Sequence, residues 1–426
     1  MNRREFIFET SKYTFGGLFI PNFSFLKESR IKVRVEQLTQ GPNHHFFGYI
    51  GQSLTIPWSK NGDRILCLSA PFHDHLAGKG EPANVNIIYA NKKNDNSFKI
   101  EKVDESQGWN HQQGTMFYWN PDSPQDQFFF NDRDSKSGVV YTVLYDLSKG
   151  RRIKSYKYGN KSFGNSGICP KGKYFLAINY ARMARLRPVT GYKGSYDWSE
   201  GIAAPKEDGI AIIDIKTGVK KILLSFKQMA EGLDRKGFDA KGRNLFINHT
   251  LWSRDGKWIY FFVRAGWKSD KDGREGLNAA CSVKVDGTQF FAGHRHIGGH
   301  PEWGNGTEII GSYENKQIVY DIITQKIKRT IGSKKIFPQP GGDISLSPNS
   351  NWLVNGYNDK AGTNFYSLMN LKTGDWVNTP SFNTGIYKKD LRIDPAPRWN
   401  HDNNKILVSG LDKNGIRQLF VMSLDY

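Results

Sequence analysis

One unit recurs seven times along this chain, and a recurring unit limits the possible folds more than any composition does. Each copy joins an apolar or aromatic residue to a polar turn and then to a run of β-forming residues. The first four copies are Pro57-Trp58-Ser-Lys-Asn-Gly-Asp-Arg-Ile-Leu, Trp119-Asn-Pro-Asp, Ile168-Cys-Pro-Lys-Gly-Lys-Tyr-Phe-Leu and Trp252-Ser-Arg-Asp-Gly-Lys-Trp-Ile-Tyr. The last three are Trp303-Gly-Asn-Gly-Thr-Glu-Ile-Ile, Leu346-Ser-Pro-Asn-Ser-Asn-Trp-Leu and Trp399-Asn-His-Asp-Asn-Asn-Lys-Ile-Leu. They lie about 57 residues apart on average, somewhat more than a typical propeller repeat. A second strand follows most copies and ends in an Asp-x-x-Gly type of turn, as in Tyr145-Asp-Leu-Ser-Lys-Gly, Ile213-Asp-Ile-Lys-Thr-Gly, Val285-Asp-Gly-Thr and Asn370-Leu-Lys-Thr-Gly. Each unit therefore reads as two β-hairpins, a four-stranded blade.

The last unit, ending at Leu419-Phe-Val-Met-Ser-Leu-Asp-Tyr426, is one strand short, and Ile31-Lys-Val-Arg-Val-Glu-Gln-Leu38 can supply that strand. The sequence thus predicts an all-β, seven-bladed β-propeller of four-stranded blades, closed by the N-terminal strand, as one domain over residues 28–426. Two stacked β-domains would leave the recurrence unexplained. One short helix is expected near Ser225 to Leu233. Paired Arg3 and Arg4, followed by a modestly apolar stretch, read as an export leader over residues 1–27, so the expected location is periplasmic or secreted.

With 27 Phe, 19 Tyr and 11 Trp the chain has ample apolar area for a core, which excludes a disordered protein. No stretch of about 18 apolar residues is present, so no membrane-spanning helix is expected. Three distant cysteines cannot form a disulfide framework. Lys and Arg total 60 against 41 Asp and Glu, a formal charge of +19, and this points to a polyanionic partner. No zinc-finger, RRM or helix-turn-helix signature accompanies the charge, so nucleic acid is not the expected partner.

In a propeller the residues just before each repeat converge on one funnel. Here they are His44-His45-Phe-Phe-Gly-Tyr49, Trp109-Asn-His111-Gln112-Gln113-Gly114, Phe163-Gly-Asn165, Asn248-His249, Gly299-His300, Gly341-Gly342-Asp343 and Arg392-Ile-Asp394. Five of the ten histidines fall in this set, and imidazole suits proton transfer near neutral pH. His45, Trp109 and Gln112 are candidate substrate-binding residues, and His249 is a candidate catalytic one. A basic-aromatic segment, Tyr180-Ala-Arg182-Met-Ala-Arg185-Leu-Arg187-Pro-Val-Thr-Gly-Tyr192, offers guanidinium groups for carboxylate or sulfate from a loop overhanging the funnel. The stretch Cys281 to His296 reads as a hairpin about Asp286-Gly287 in which Cys281 pairs with Ala292. That register places Cys281, His294 and His296 on one face, with His300 or His249 as a fourth ligand for a single structural zinc ion.

Gly41-Pro-Asn-His-His-Phe-Phe-Gly-Tyr49, His111-Gln-Gln-Gly114, Asn248-His-Thr-Leu-Trp-Ser-Arg-Asp-Gly256 and His300-Pro-Glu-Trp303 together resemble the seven-bladed propeller polysaccharide lyases, among them oligogalacturonate lyases and ulvan lyases. The oligogalacturonate lyases carry a Gln-x-x-His-x-His metal motif, and Gln339-Pro-Gly-Gly-Asp-Ile344 stands in its place without either histidine. The resemblance to ulvan lyases implies His111 as a catalytic residue with Tyr192 and with Arg182 or Arg187, and a structural zinc at the Cys281 cluster. Asn131-Asp132 stands where a second catalytic histidine is implied. The implied reaction is β-elimination at a 4-linked uronic acid in an acidic, possibly sulfated, polysaccharide, carried out by a monomer. Two other readings are a non-catalytic carbohydrate- or protein-binding propeller and a glycoside hydrolase using Asp343 and Asp394.

Overall fold

A computed structural model of the chain describes residues 31–48, 54–92, 97–267 and 273–425. The expected leader, residues 1–27, and Tyr49 lie outside these residues. Among the described residues the regular structure is almost entirely β-strand, with two short α-helices and one 3-10 turn. Four consecutive units form antiparallel four-stranded blades, in which the innermost strands are His44–Phe46, Tyr118–Trp119, Gly164–Ile168 and Phe246–Trp252. A fifth blade is built from Arg398–Trp399, Lys405–Leu411 and Arg417–Asp425, with Lys32–Gln37 as its outer strand. The N-terminal strand pairs antiparallel with Arg417–Asp425, from Lys32 opposite Asp425 to Gln37 opposite Phe420.

The expectation of seven separate blades is corrected by the structure. The units beginning at Gly298–Trp303 and Asp343–Leu346 do not form two blades. They join in one nine-stranded sheet, a half-barrel beside five blades, through a parallel bridge between His300 and Asp343. Glycine makes the junction possible. A Cβ on Gly299 would lie 2.7 Å from the backbone of Gly341, so only bare backbone lets the two inner strands approach closely enough for His300 N–H to donate to Gly342 O (3.1 Å).

The repeat tryptophans act as ties between units. Trp119 donates its indole N–H to Pro57 O, Trp252 to Gly167 O, Trp303 to Leu251 O and Trp399 to Ser345 O, all at 2.8–3.1 Å. Each is buried, so it contributes a large apolar area while its one polar atom is satisfied by the preceding unit. The helix expected near Ser225 spans Phe226–Asp234, opened by a capping box between Ser225 and Gln228. The basic segment after the third repeat, expected as a loop, is helical over Tyr180–Leu186, because the Asn179 side chain accepts from Arg182 N and caps it.

Candidate functional site

At the His300–Asp343 junction the chain encloses an open groove of about 600 Å³, whose walls include His300, Gln339, Asp343, Tyr357, Arg392 and Asp394. His300 Nδ1 sits 2.5 Å from Asp343 Oδ1, and Asp343 Oδ2 accepts from Ala396 N–H at 2.8 Å. The carboxylate is thus fixed from two sides. Burial acts to raise its pKa, but the His300 charge, the hydrogen bond from His300 and the Ala396 N–H outweigh it and hold Asp343 below the ordinary carboxylate value. Asp343 side chain is 5% exposed and His300 is 30% exposed, so a buried carboxylate backs an imidazole that reaches the groove.

His249 lies against His300 with ring centroids 5.1 Å apart. Its backbone has φ +60°, an uncommon conformation for a side chain of this size and one that often accompanies functional sites. Burial, followed by the charges of His300, Arg264 and Arg187, pushes its pKa well below the ordinary value, which favours the neutral imidazole. Arg187 and Arg264 both lie over the Trp267 ring, at 5.2 and 4.8 Å from its centroid. Two guanidinium groups therefore stand near His249, one of them with its Nε donating to Asn278 Oδ1 (2.9 Å), and guanidinium groups suit a carboxylate. Across the groove Arg392 Nε donates to Asp394 Oδ1 (2.9 Å), and Gln112 Nε2 donates to Asp394 Oδ2 (2.6 Å).

His111 belongs to a different cluster. It is 2% exposed, and its ring packs on Trp109 (4.8 Å) and His73 (4.5 Å). Its Nε2–H donates to Phe72 O, and burial pushes its pKa down to about 3. His73 donates in the same way to Leu391 O (2.9 Å), and Tyr387 and Arg417 complete the cluster. This is a largely buried aromatic–imidazole cluster with one guanidinium, and none of these side chains lines the groove.

The sequence-derived candidates therefore separate. His300 lines the groove, Gln112 bonds Asp394 on its wall, His249 packs on His300, and Arg187 stands near His249. Arg182, expected to be catalytic, is 1% exposed, and its guanidinium is spent on Leu245 O, Ser199 Oγ, Ile202 O and Ala203 O, tying the helix to neighbouring loops. Tyr192 is fully buried, stacked on Tyr180 at 4.5 Å, and accepts from Asn131 Nδ2 (3.0 Å); burial raises its pKa far above the ordinary value. His45 bonds Gln418 (3.0 Å), and Trp109 is 1% exposed with its indole N–H on Glu81 O, so neither presents a face to a ligand.

The expected zinc set does not assemble. The hairpin keeps the anticipated register as far as Ser282 opposite Phe291, but an extra residue at Gly293 (φ +67°) then places His294 opposite Ala280. The one-residue slip moves His294 to the face opposite Cys281. There His294 bonds Ser282 Oγ at 2.7 Å, while Cys281 is buried in the core, its thiol pushed up to about 12. His296 is exposed and His300 is committed to Asp343. Among the described residues no group of three or more His, Cys, Asp or Glu side chains is placed to hold a metal ion, so these four residues do not fit zinc. Arg264 and Trp267 were not singled out from the sequence, whereas Arg392 belongs to the expected funnel set. A lone Arg closing the apolar run Trp258-Ile-Tyr-Phe-Phe-Val-Arg264 was the one available signal for the first of them.

No family model matches the chain, and no curated protein matches it. Among solved structures it is similar to an oligogalacturonate lyase in complex with manganese, at 15% identity and a TM-score of 0.61, with 94% of this chain and 95% of that chain covered. It is also similar to TolB from Acinetobacter baumannii (11% identity, 85% and 81% covered, TM-score 0.40) and to the Myceliophteria thermophila Cps50 (Swd1) propeller domain (10%, 89% and 98%, 0.47). The first of these likenesses supports a β-propeller-like fold. Among the described residues no helix is long and apolar enough to cross a membrane.

Proposed function

We propose that this protein is an exported polysaccharide lyase that cleaves a 4-linked uronic acid in an acidic polysaccharide by β-elimination at the His300 groove. The observation that carries the reading is the His300–Asp343 pair on the wall of an open groove, with Arg187 and Arg264 beside the neighbouring His249. The two guanidinium groups would bind the uronate carboxylate and withdraw charge from it, which acidifies the C5 proton. With Nδ1 committed to Asp343, His300 exchanges protons through Nε2. It would accept the C5 proton, the C5–H electrons would form the C4=C5 bond, and the C4–O4 bond would break. The imidazolium, stabilised meanwhile by Asp343, would return the proton to the departing O4. The fold likeness to an oligogalacturonate lyase and the net charge of +19 support the same reading.

A glycoside hydrolase would need one carboxylic acid carrying a proton. Asp343 is held ionised by its partners, and both Asp394 oxygens accept hydrogen bonds, so the pair argues against that chemistry. The test is absorbance near 235 nm, from the unsaturated uronate, across a panel of uronic acid polymers. His300→Ala should fold normally and lose at least about a hundredfold in rate. A folded His300→Ala protein with near-normal turnover would remove this groove from the chemistry.

A further inference from the structure

The wall of the groove continues well beyond His300. His300 bridges to Asp343, and Asp343 in turn pairs with Gly356 on the next strand, Trp352–Asn358. Two strand spacings, about 10 Å, therefore separate the backbone of His300 from that of Gly356. There the strand abuts the segment that carries Arg392, since a Cβ on Gly356 would lie 2.6 Å from Pro395 Cβ. Ile393 O accepts from Asn364 Nδ2 (3.2 Å) and Pro395 O from Tyr366 OH (3.0 Å), which anchors that segment to the strand Thr363–Asn370. Tyr357, stacked on Phe365 with ring centroids 5.5 Å apart, adds an aromatic side chain to the same wall. A groove of about 600 Å³ with a wall this long has room for more than one sugar ring.

The Arg392 side chain is fixed as firmly as its backbone. Nε donates to Asp394 Oδ1 (2.9 Å) and Nη1 to Lys389 O (3.1 Å). Asp394 Oδ2 accepts from Gln112 Nε2 (2.6 Å), and Gln112 N–H donates to Asn110 Oδ1 (3.0 Å). Among the described residues Arg392 makes no other hydrogen bond, which leaves N–H donors on both terminal nitrogens of a side chain that is 34% exposed. A staple for the loop is the simplest role for such a pair. The charges around it argue for more. Burial lowers the pKa of buried Arg417 to about 10, and the Asp394 charge is the first influence opposing it, so a second guanidinium already lies near that carboxylate. Arg398 is likewise among the charges that hold Asp343 below the ordinary value. Both groove carboxylates thus have a buried cation nearby, and the Arg392 charge is left for a ligand.

We propose that Arg392 is a specificity-determining residue of this groove, binding an acidic substituent on the sugar next to the uronate held at His300. The inference rests on the reading of the groove as a uronate polysaccharide site, but not on the elimination chemistry. A carboxylate and a sulfate both match the N–H donors that remain on the planar fork. Asp394 and Gln112 hold that fork in place beforehand, so little side-chain freedom is lost when an oxyanion binds. The preferred chain then carries acidic groups on neighbouring sugars, and a uronate flanked by neutral sugars is a poorer ligand.

Binding measured by calorimetry, in a His300→Ala background that stops turnover, reads this contact directly. The probes are tetragalacturonate, in which every sugar carries a carboxylate, and chondroitin tetrasaccharides with and without sulfate on the hexosamine beside the uronate. Arg392→Gln should weaken tetragalacturonate or the sulfated probe at least about tenfold, and the unsulfated probe less than about twofold. Which of the first two responds identifies the group as carboxylate or sulfate. Arg392→Lys keeps the charge and the loop but not the fork, and should recover little of the loss. Unchanged affinity for all three probes, an equal loss for all three, or no binding of any of them overturns the proposal. If the parent protein forms no unsaturated uronate yet affinity follows Arg392, the elimination reading fails and this contact stands. If it forms unsaturated uronate and Arg392→Gln binds as before, the reverse holds.

Discussion

His300 is useful only because of what stands behind it. The Asp343 carboxylate fixes the ring through Nδ1 and is itself fixed by Ala396 N–H. Asp343→Asn keeps the size but removes the charge that would stabilise an imidazolium. It should lower kcat by about 10²-fold or more and change KM little, checked by steady-state kinetics on a short uronate oligomer. His111 carries the opposite expectation. Its folded pKa of about 3 lies below the ordinary 6.5, so the unfolded chain binds the extra proton between those values and stability falls as pH is lowered through that window. The contribution lost is on the order of 3–5 kcal/mol over the full window. His111→Gln cannot titrate, so its melting temperature should fall less between pH 7 and 5 than that of the parent protein. Sequence could place both histidines at the mouths of inner strands, but not tell them apart. The difference is burial, and burial is set by Phe72, Trp109 and His73, which come from other turns of the chain.

At the scale of elements, a single glycine decides whether Cys281 and His294 share a face. Alternation along a hairpin is legible in sequence, and the register was correct as far as Ser282 and Phe291. The bulge was not legible, because a Gly near a strand end reads equally well as part of a turn. Gly293 holds φ +67°, and a Cβ there would lie 2.3 Å from the Phe238 ring. Gly293→Ala should therefore combine backbone strain with a steric clash and destabilise the fold by about 1–3 kcal/mol, read from a denaturant midpoint. The Tyr180–Leu186 helix has a similar lesson. Three arginines in a short basic run suggested a loop overhanging the funnel, but Asn179 caps a helix whose Arg182 points inward to four carbonyl or hydroxyl oxygens from residues 199–245. Only Arg187, just past the helix end, reaches the Trp267 and His249 side.

For the whole molecule, the repeats and their tryptophans were visible because each unit writes the same local pattern. Whether two neighbouring units stay apart was not visible, since it depends on close approach of Gly299 and Gly341 across some forty residues of intervening chain. The join between the two ends of the chain has the same long-range character but a clearer sequence signal, an isolated β-rich run before the first repeat. All six residues of Lys32–Gln37 pair with Arg417–Asp425, Leu38 N–H donates to Leu419 O (2.8 Å), and Thr39 Oγ1 donates to Gln418. The strand therefore covers an edge that would otherwise present open N–H and C=O groups beside Leu419, Val421 and Leu424. A chain beginning at Thr39 should lose at least about 3 kcal/mol relative to one beginning at Ile31, taking roughly 0.5–1 kcal/mol for each backbone hydrogen bond removed. It should also aggregate as it unfolds, because the bared Arg417–Asp425 edge can recruit a second chain. Thermal melts of the two chains followed by light scattering measure both effects. Equal melting temperatures would mean that the fifth blade is held by its inner three strands alone.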